Sequence, residues 1–75
     1  MNIQDTIRRM MSESGTNGTA LSFVLGEDRN AVSTMLSRAS VPRLDRFVKM
    51  CDAMGYQVVL ESADDRIAID PPTEA

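Results

Sequence analysis

GTALSFVLGEDRNAVSTMLS, residues 18–37, reads as two short helices joined by a tight turn. Leu21 and Leu25 mark an apolar face before Gly26, and Val32, Met35 and Leu36 mark another after it, so each half carries a helical period of its own. The predicted halves run from about Thr19 to Leu25 and from Asp28 to about Arg38, with Gly26 taking the left-handed turn and Asp28 as the cap of the second half. At about 100° per residue, Arg29, Asn30, Ser33, Thr34 and Ser37 share an arc of about 140° opposite the apolar side chains. That face is short-chained and rich in hydrogen-bonding groups.

Outward from this stretch, Asn2 to Ser14 form a first helix candidate, with Ile3, Ile7, Met10 and Met11 on one stripe and Gly15 as its stop. The segment SGTNG is a turn cluster in which Thr16 or Thr19 is expected to cap the next helix. A phosphate cradle is a weak reading of those glycines, because no strand precedes them and no lysine follows. After Pro42, Leu44, Phe47, Val48, Cys51 and Met54 give the clearest amphipathic helix, closed by Gly55. Its stripe makes Cys51 a buried, inert thiol, and Met10, Met35, Met50 and Met54 read as core filler before they read as a deformable binding groove. YQVVLES and RIAID, separated by Ala63 to Asp65, make a β-hairpin over about residues 56–70. Tyr56, Val58 and Leu60 are expected to face the core, with Val59 apolar on the other side. Residues 71–75, PPTEA, are expected to be a disordered tail.

The 75 residues allow one domain with a small core, and 43% hydrophobic and 25% charged residues are the balance of an ordinary globular chain. No apolar run is long enough to span a bilayer, and Ser12 and Glu13 interrupt any signal-peptide pattern, so a cytoplasmic protein with no membrane partner is expected. With no histidine and only Cys51, internal disulfides, zinc sites and His-dependent catalysis drop out; no cofactor, no metal and no enzymatic activity are expected. Asp64 and Asp65 form a carboxylate pair, but in a turn with no enclosing pocket. The formal charge of −3 is unevenly spread. Up to Gly55 seven basic residues stand against six acidic ones, whereas after it five acidic residues face only Arg66.

Ser22 in mid-helix, Gly26 at the turn and Val32 after it, together with VPRLDRFVKMCDAMGYQVVL, resemble the helix-turn-helix regulators of the Cro and phage-repressor type, the xenobiotic-response-element family. The resemblance covers about Ile7 to Leu60. It implies a mainly α, four-helix lambda-repressor-like domain with the C-terminal β-hairpin appended, binding double-stranded DNA as a dimeric repressor that reads the major groove with residues 28–38. Arg29, Asn30, Ser33, Thr34 and Ser37 are then the candidates for base contacts, and Thr19, Arg38 and Arg43 for phosphate contacts. Tyr56, Val58, Val59 and Leu60 are the candidates for dimerisation. Three features depart from the family's pattern. Gly18 or Thr19 stands where glutamine is usual, Glu27 stands where a buried aliphatic residue follows the turn, and Phe23 and Val24 are apolar where polar residues are common. Glu27 is therefore expected to loosen the packing of the turn. An alternative function, from a different class, is an antitoxin or adaptor whose acidic hairpin and exposed Phe23 and Val24 bind a protein partner such as a toxin.

Overall fold

Four helices followed by a two-stranded antiparallel hairpin make up a computed structural model that describes residues 1–72. The helices are α1 (Ile3–Ser14), α2 (Gly18–Val24), α3 (Ala31–Ser37) and α4 (Leu44–Ala53); the strands are β1 (Val58–Glu61) and β2 (Arg66–Ile69). Of the tail expected to be disordered, residues 73–75 lie outside the described residues. Pro71 and Pro72 line a shallow depression with Val24, Lys49 and Ala53.

Two asparagines start the first two helices. Asn2 Oδ1 accepts from Asp5 N–H at 2.8 Å and Asn17 Oδ1 from Ala20 N–H at 2.7 Å, each satisfying an amide that has no partner inside its helix. Asn17, not Thr16 or Thr19, is thus the cap of α2, and Thr19 lies within its first turn. All four helices end alike, in a residue of left-handed conformation: Gly15, Gly26, Ala39 and Gly55. At Gly26 (φ 71°) this bend turns the chain from α2 towards α3, with Glu27 N–H donating back to Ser22 C=O at 3.0 Å. Ala39 (φ 53°) holds the same geometry despite its Cβ, and Ser40 N–H donates to Met35 C=O at 3.0 Å.

The core lies where the helices converge. Ile7, Leu21, Val32 and Met50 are completely buried, with Met10, Met35, Cys51 and Met54 around them. The methionines are core filler, and the Cys51 thiol sits 3.8 Å from the Met10 sulfur. Burial pushes the Cys51 thiol up from its ordinary pKa, which keeps it protonated and unreactive. Leu44 departs from the expected stripe. At the start of α4, Leu44 and the nearby Val41 are exposed.

Two side chains of α1 fasten the end of α3. Arg8 donates to Leu36 C=O at 3.2 Å and Gln4 to Ser40 C=O at 3.1 Å, supplying donors to carbonyls in the region where the helix runs out. The hairpin pairs Val58 with Ile69, Val59 with Ala68, Leu60 with Ile67, and Glu61 with Arg66. Only its first residues reach the helices: Val58 packs on the core, whereas Leu60 is 56% exposed, so the expectation that Leu60 faces the core is overturned. Among the described residues no helix is long and apolar enough to cross a membrane.

Candidate nucleic-acid interface

Beside the apolar core they share, α2 and α3 are linked by the one buried polar side chain among the described residues. Ser22 is fully buried; its hydroxyl donates to Gly18 C=O at 2.7 Å and accepts from Val32 N–H at 3.1 Å. Asn30, at the cap position of α3, makes no side-chain capping bond. Ser22 therefore satisfies a first-turn amide of α3 from the neighbouring helix, which fixes how α3 lies against α2. The small residue that the resemblance places in mid-helix also acts as a cap.

Residues 28–30 are not helical, as expected from the sequence, but form a turn. Asp28 Oδ2 accepts from Asn30 N–H at 3.0 Å, Asp28 C=O accepts from Ala31 N–H at 2.9 Å, and Asn30 sits at φ −99°, ψ 0°. The aspartate side chain offers its own backbone a turn that competes with the helix, so the cap position of α3 falls at Asn30, two residues after the expected Asp28. Arg29 and Asn30 consequently stand on the turn that leads into α3, while Ser33, Thr34 and Ser37 stand on the helix itself.

All five candidate base-contacting residues are exposed, opposite the buried Val32 and Met35. The hydroxyls are not equivalent. Ser33 donates to Asn30 C=O and Ser37 to Thr34 C=O, both at 3.1 Å, so these two oxygens face outward as acceptors. Among the described residues, the side chains of Arg29, Asn30 and Thr34 make no hydrogen bond or ion pair. Of the candidate phosphate contacts, Thr19, Arg38 and Arg43 are all exposed. Arg38 has no ion-pair partner among the described residues, whereas Arg43 lies 3.5 Å from Asp45.

Glu27 does not loosen the turn. Both its carboxylate oxygens accept from Arg46 of α4, Oε2 from Nε at 2.9 Å and Oε1 from Nη2 at 2.5 Å, and Arg46 also donates to the Met35 sulfur at 3.3 Å. A forked guanidinium thus ties the turn, α3 and α4 at one point, and the glutamate's charge is matched before it can repel an approaching anion. Nothing in the sequence marks this pair, because nineteen positions separate its members. Phe23 and Val24 are exposed as expected, at 65% and 64%.

The four candidate dimerisation residues divide. Tyr56 donates its hydroxyl to Glu13 of α1 at 2.7 Å, Val58 is on the core, Val59 is half-buried, and Leu60 is presented outward. That bond, with help from Arg9, lowers the Glu13 carboxyl pKa, and it raises the Tyr56 phenol. Among the described residues no group of three or more His, Cys, Asp or Glu side chains is placed to hold a metal ion.

Comparison with protein-family models, curated proteins and solved structures finds no match. The function is accordingly argued from this chain's own residues.

Proposed function

We infer that this chain is a sequence-specific, DNA-binding transcriptional regulator of the helix-turn-helix kind, acting as a homodimer and as a repressor by occluding a promoter. What carries the reading is the contrast among the arginines of the helical part. Arg8, Arg9, Arg43 and Arg46 are each within 4.0 Å of a carboxylate, but Arg29 and Arg38, at the two ends of α3, have none among the described residues. Between them lies a face of short polar side chains with no large apolar residue. A helix face of short side chains keeps the helix roughly 10 Å across, which a major groove about 12 Å wide admits.

Arg29 is assigned to guanine O6 and N7, and Asn30 to adenine N6 and N7, since both side chains are unengaged. Thr34 offers its methyl to thymine. Ser33 and Ser37, with their hydrogens committed to the helix, accept from amino donors such as cytosine N4 or adenine N6. Thr19, Arg38 and Arg43 contact phosphates. The net charge of −3 gives weak nonspecific affinity, so two copies on a near-palindromic site, with half-sites about 34 Å apart, supply the remainder.

Selection of bound duplexes from random DNA tests the reading. The expected result is enrichment of a short near-palindrome; a bound pool as random as the input contradicts it. One observation favours the second reading, a module that binds a protein partner: Phe23 and Val24 remain uncovered at the end of α2. Copurification of one second polypeptide, lost in the Phe23→Ser variant, is the result that would support that reading.

A further inference from the structure

We propose that two copies of this chain join through the free edge of β2, with Ala68 on the two-fold axis, to form a continuous four-stranded sheet. The proposal deepens the dimeric reading given above and rests on it for its biological use. Its grounds are the hydrogen-bond phase of the hairpin and the charge order of β2.

Ser62 N–H donates to Asp65 C=O at 2.9 Å, so residues 62 and 65 form a hydrogen-bonded pair. With the register of Val58 against Ile69, alternation along an antiparallel ladder then turns the backbone groups of Ile67 and Ile69 inward to β1. Those of Arg66, Ala68 and Asp70 turn outward, to an edge that no other strand among the described residues occupies. Pro71 falls in the inward phase, so its missing N–H removes nothing from that edge. Arg66 N–H is held by the Asp65 carboxylate at 2.8 Å, which leaves the amides of Ala68 and Asp70 and three carbonyls to pair.

The sequence RIAID is complementary to itself when reversed. Antiparallel pairing about Ala68 sets Arg66 opposite Asp70 of the second copy, Ile67 opposite Ile69, and Ala68 opposite Ala68. The outward groups are then the ones that meet across the axis, as a ladder centred on that residue requires. Side chains match on both faces. The face that already carries Val58, Leu60, Ile67 and Ile69 doubles into one apolar surface, which uses Leu60 and Ile67, exposed in the single copy at 56% and 53%. On the other face each Arg66 lies between Glu61 of its own hairpin and Asp70 of the second copy. Neither Arg66 nor Asp70 has an ion-pair partner among the described residues. The pairing is isologous and closed, so it stops at two copies and removes the β2 edge from further association.

The edge of β1 lacks this complementarity. Its outward residues are Gln57, Val59 and Glu61, so self-pairing about Val59 would set an uncharged glutamine against each glutamate. The occupant of the β2 edge is thus a second copy of this chain, recognised by alternating opposite charges.

Sedimentation equilibrium of the full chain without DNA, on the natural protein, Asp70→Arg and Arg66→Asp/Asp70→Arg, tests the pairing. Asp70→Arg sets two arginines opposite each other twice and should weaken the dimer at least tenfold; the double variant restores opposite charges and should regain most of that loss. Ala68→Cys should oxidise to a disulfide dimer and Val59→Cys should not, with Cys51 silent because it is buried. A natural protein that stays monomeric, a dimer constant unchanged by Asp70→Arg, a double variant as weak as the single, or faster cross-linking at position 59 would each overturn the proposal. A dimer of this kind that binds no DNA would remove the regulator reading and leave the pairing intact. DNA binding by a dimer insensitive to Asp70→Arg would do the reverse.

Discussion

Ser22 shows how one side chain can set the geometry on which the proposed reading head depends. Ser22→Ala keeps the packing volume but strands the Val32 amide in a buried site, which costs about 1–3 kcal/mol. In a chain this small that is a large share of the stability, and a lower urea midpoint with an unchanged slope is the expected record. Tyr56 offers a second residue-scale measurement. The chain has one tyrosine and no tryptophan, so phenolate absorbance reports on this group alone. Its titration midpoint should lie above the ordinary value of 10.0, and Glu13→Gln should bring it back towards that value. The folded pKa of Tyr56 is raised, so its contribution to stability is complete below the unfolded value and fades as pH rises through the folded one. The Glu13 pKa is lowered, so its contribution is complete above the unfolded value and fades as pH falls through the folded one. The tie between α1 and Tyr56 therefore acts across the neutral range and weakens at both extremes.

At the scale of elements, the four helices were legible because their apolar periods and three of their stops stand in the sequence. Gly15, Gly26 and Gly55 mark three helix ends, and the fourth, expected at about Arg38, falls at that residue, with Ala39 taking the same left-handed bend without glycine's freedom. The start of α3 was misplaced for a local reason, the Asp28 side chain closing a turn in place of the helix. The hairpin was legible as two β-rich runs, but how far it lies on the helices depends on strand length against helix surface, which no local pattern encodes. Glu27 was misjudged because its partner, Arg46, is remote in sequence. Their bond makes a definite prediction: Arg46→Ala leaves Glu27 without its fork and Met35 without a donor. A loss of about 1–2 kcal/mol is expected from these partly exposed groups. In a double-mutant cycle with Glu27→Gln, urea unfolding should reveal most of that loss as coupling; purely additive losses would mean the pair does not lock the turn.

For the whole molecule, the charge map and the fold point in one direction. Up to Gly55 the chain carries a slight basic excess, the net acidity falls after it, and Arg29 and Arg38, without ion-pair partners among the described residues, flank α3. On the proposed reading, this separation would let a net-negative protein present one cationic, polar face to DNA while its acidic end lies elsewhere in the sequence. Base recognition and backbone attachment then rest on different residues and should fail differently. Arg43→Ala should weaken binding to all duplexes alike and flatten the salt dependence by about one unit of slope. The measurement that bears most directly on the proposed function is the affinity of the natural protein and of Arg29→Ala for the selected site and its single-base variants, at one fixed salt concentration. Reading of bases by this face predicts that the natural protein loses about 1–3 kcal/mol at one guanine position and that Arg29→Ala no longer distinguishes the bases there. Equal losses by both proteins at every position would contradict it.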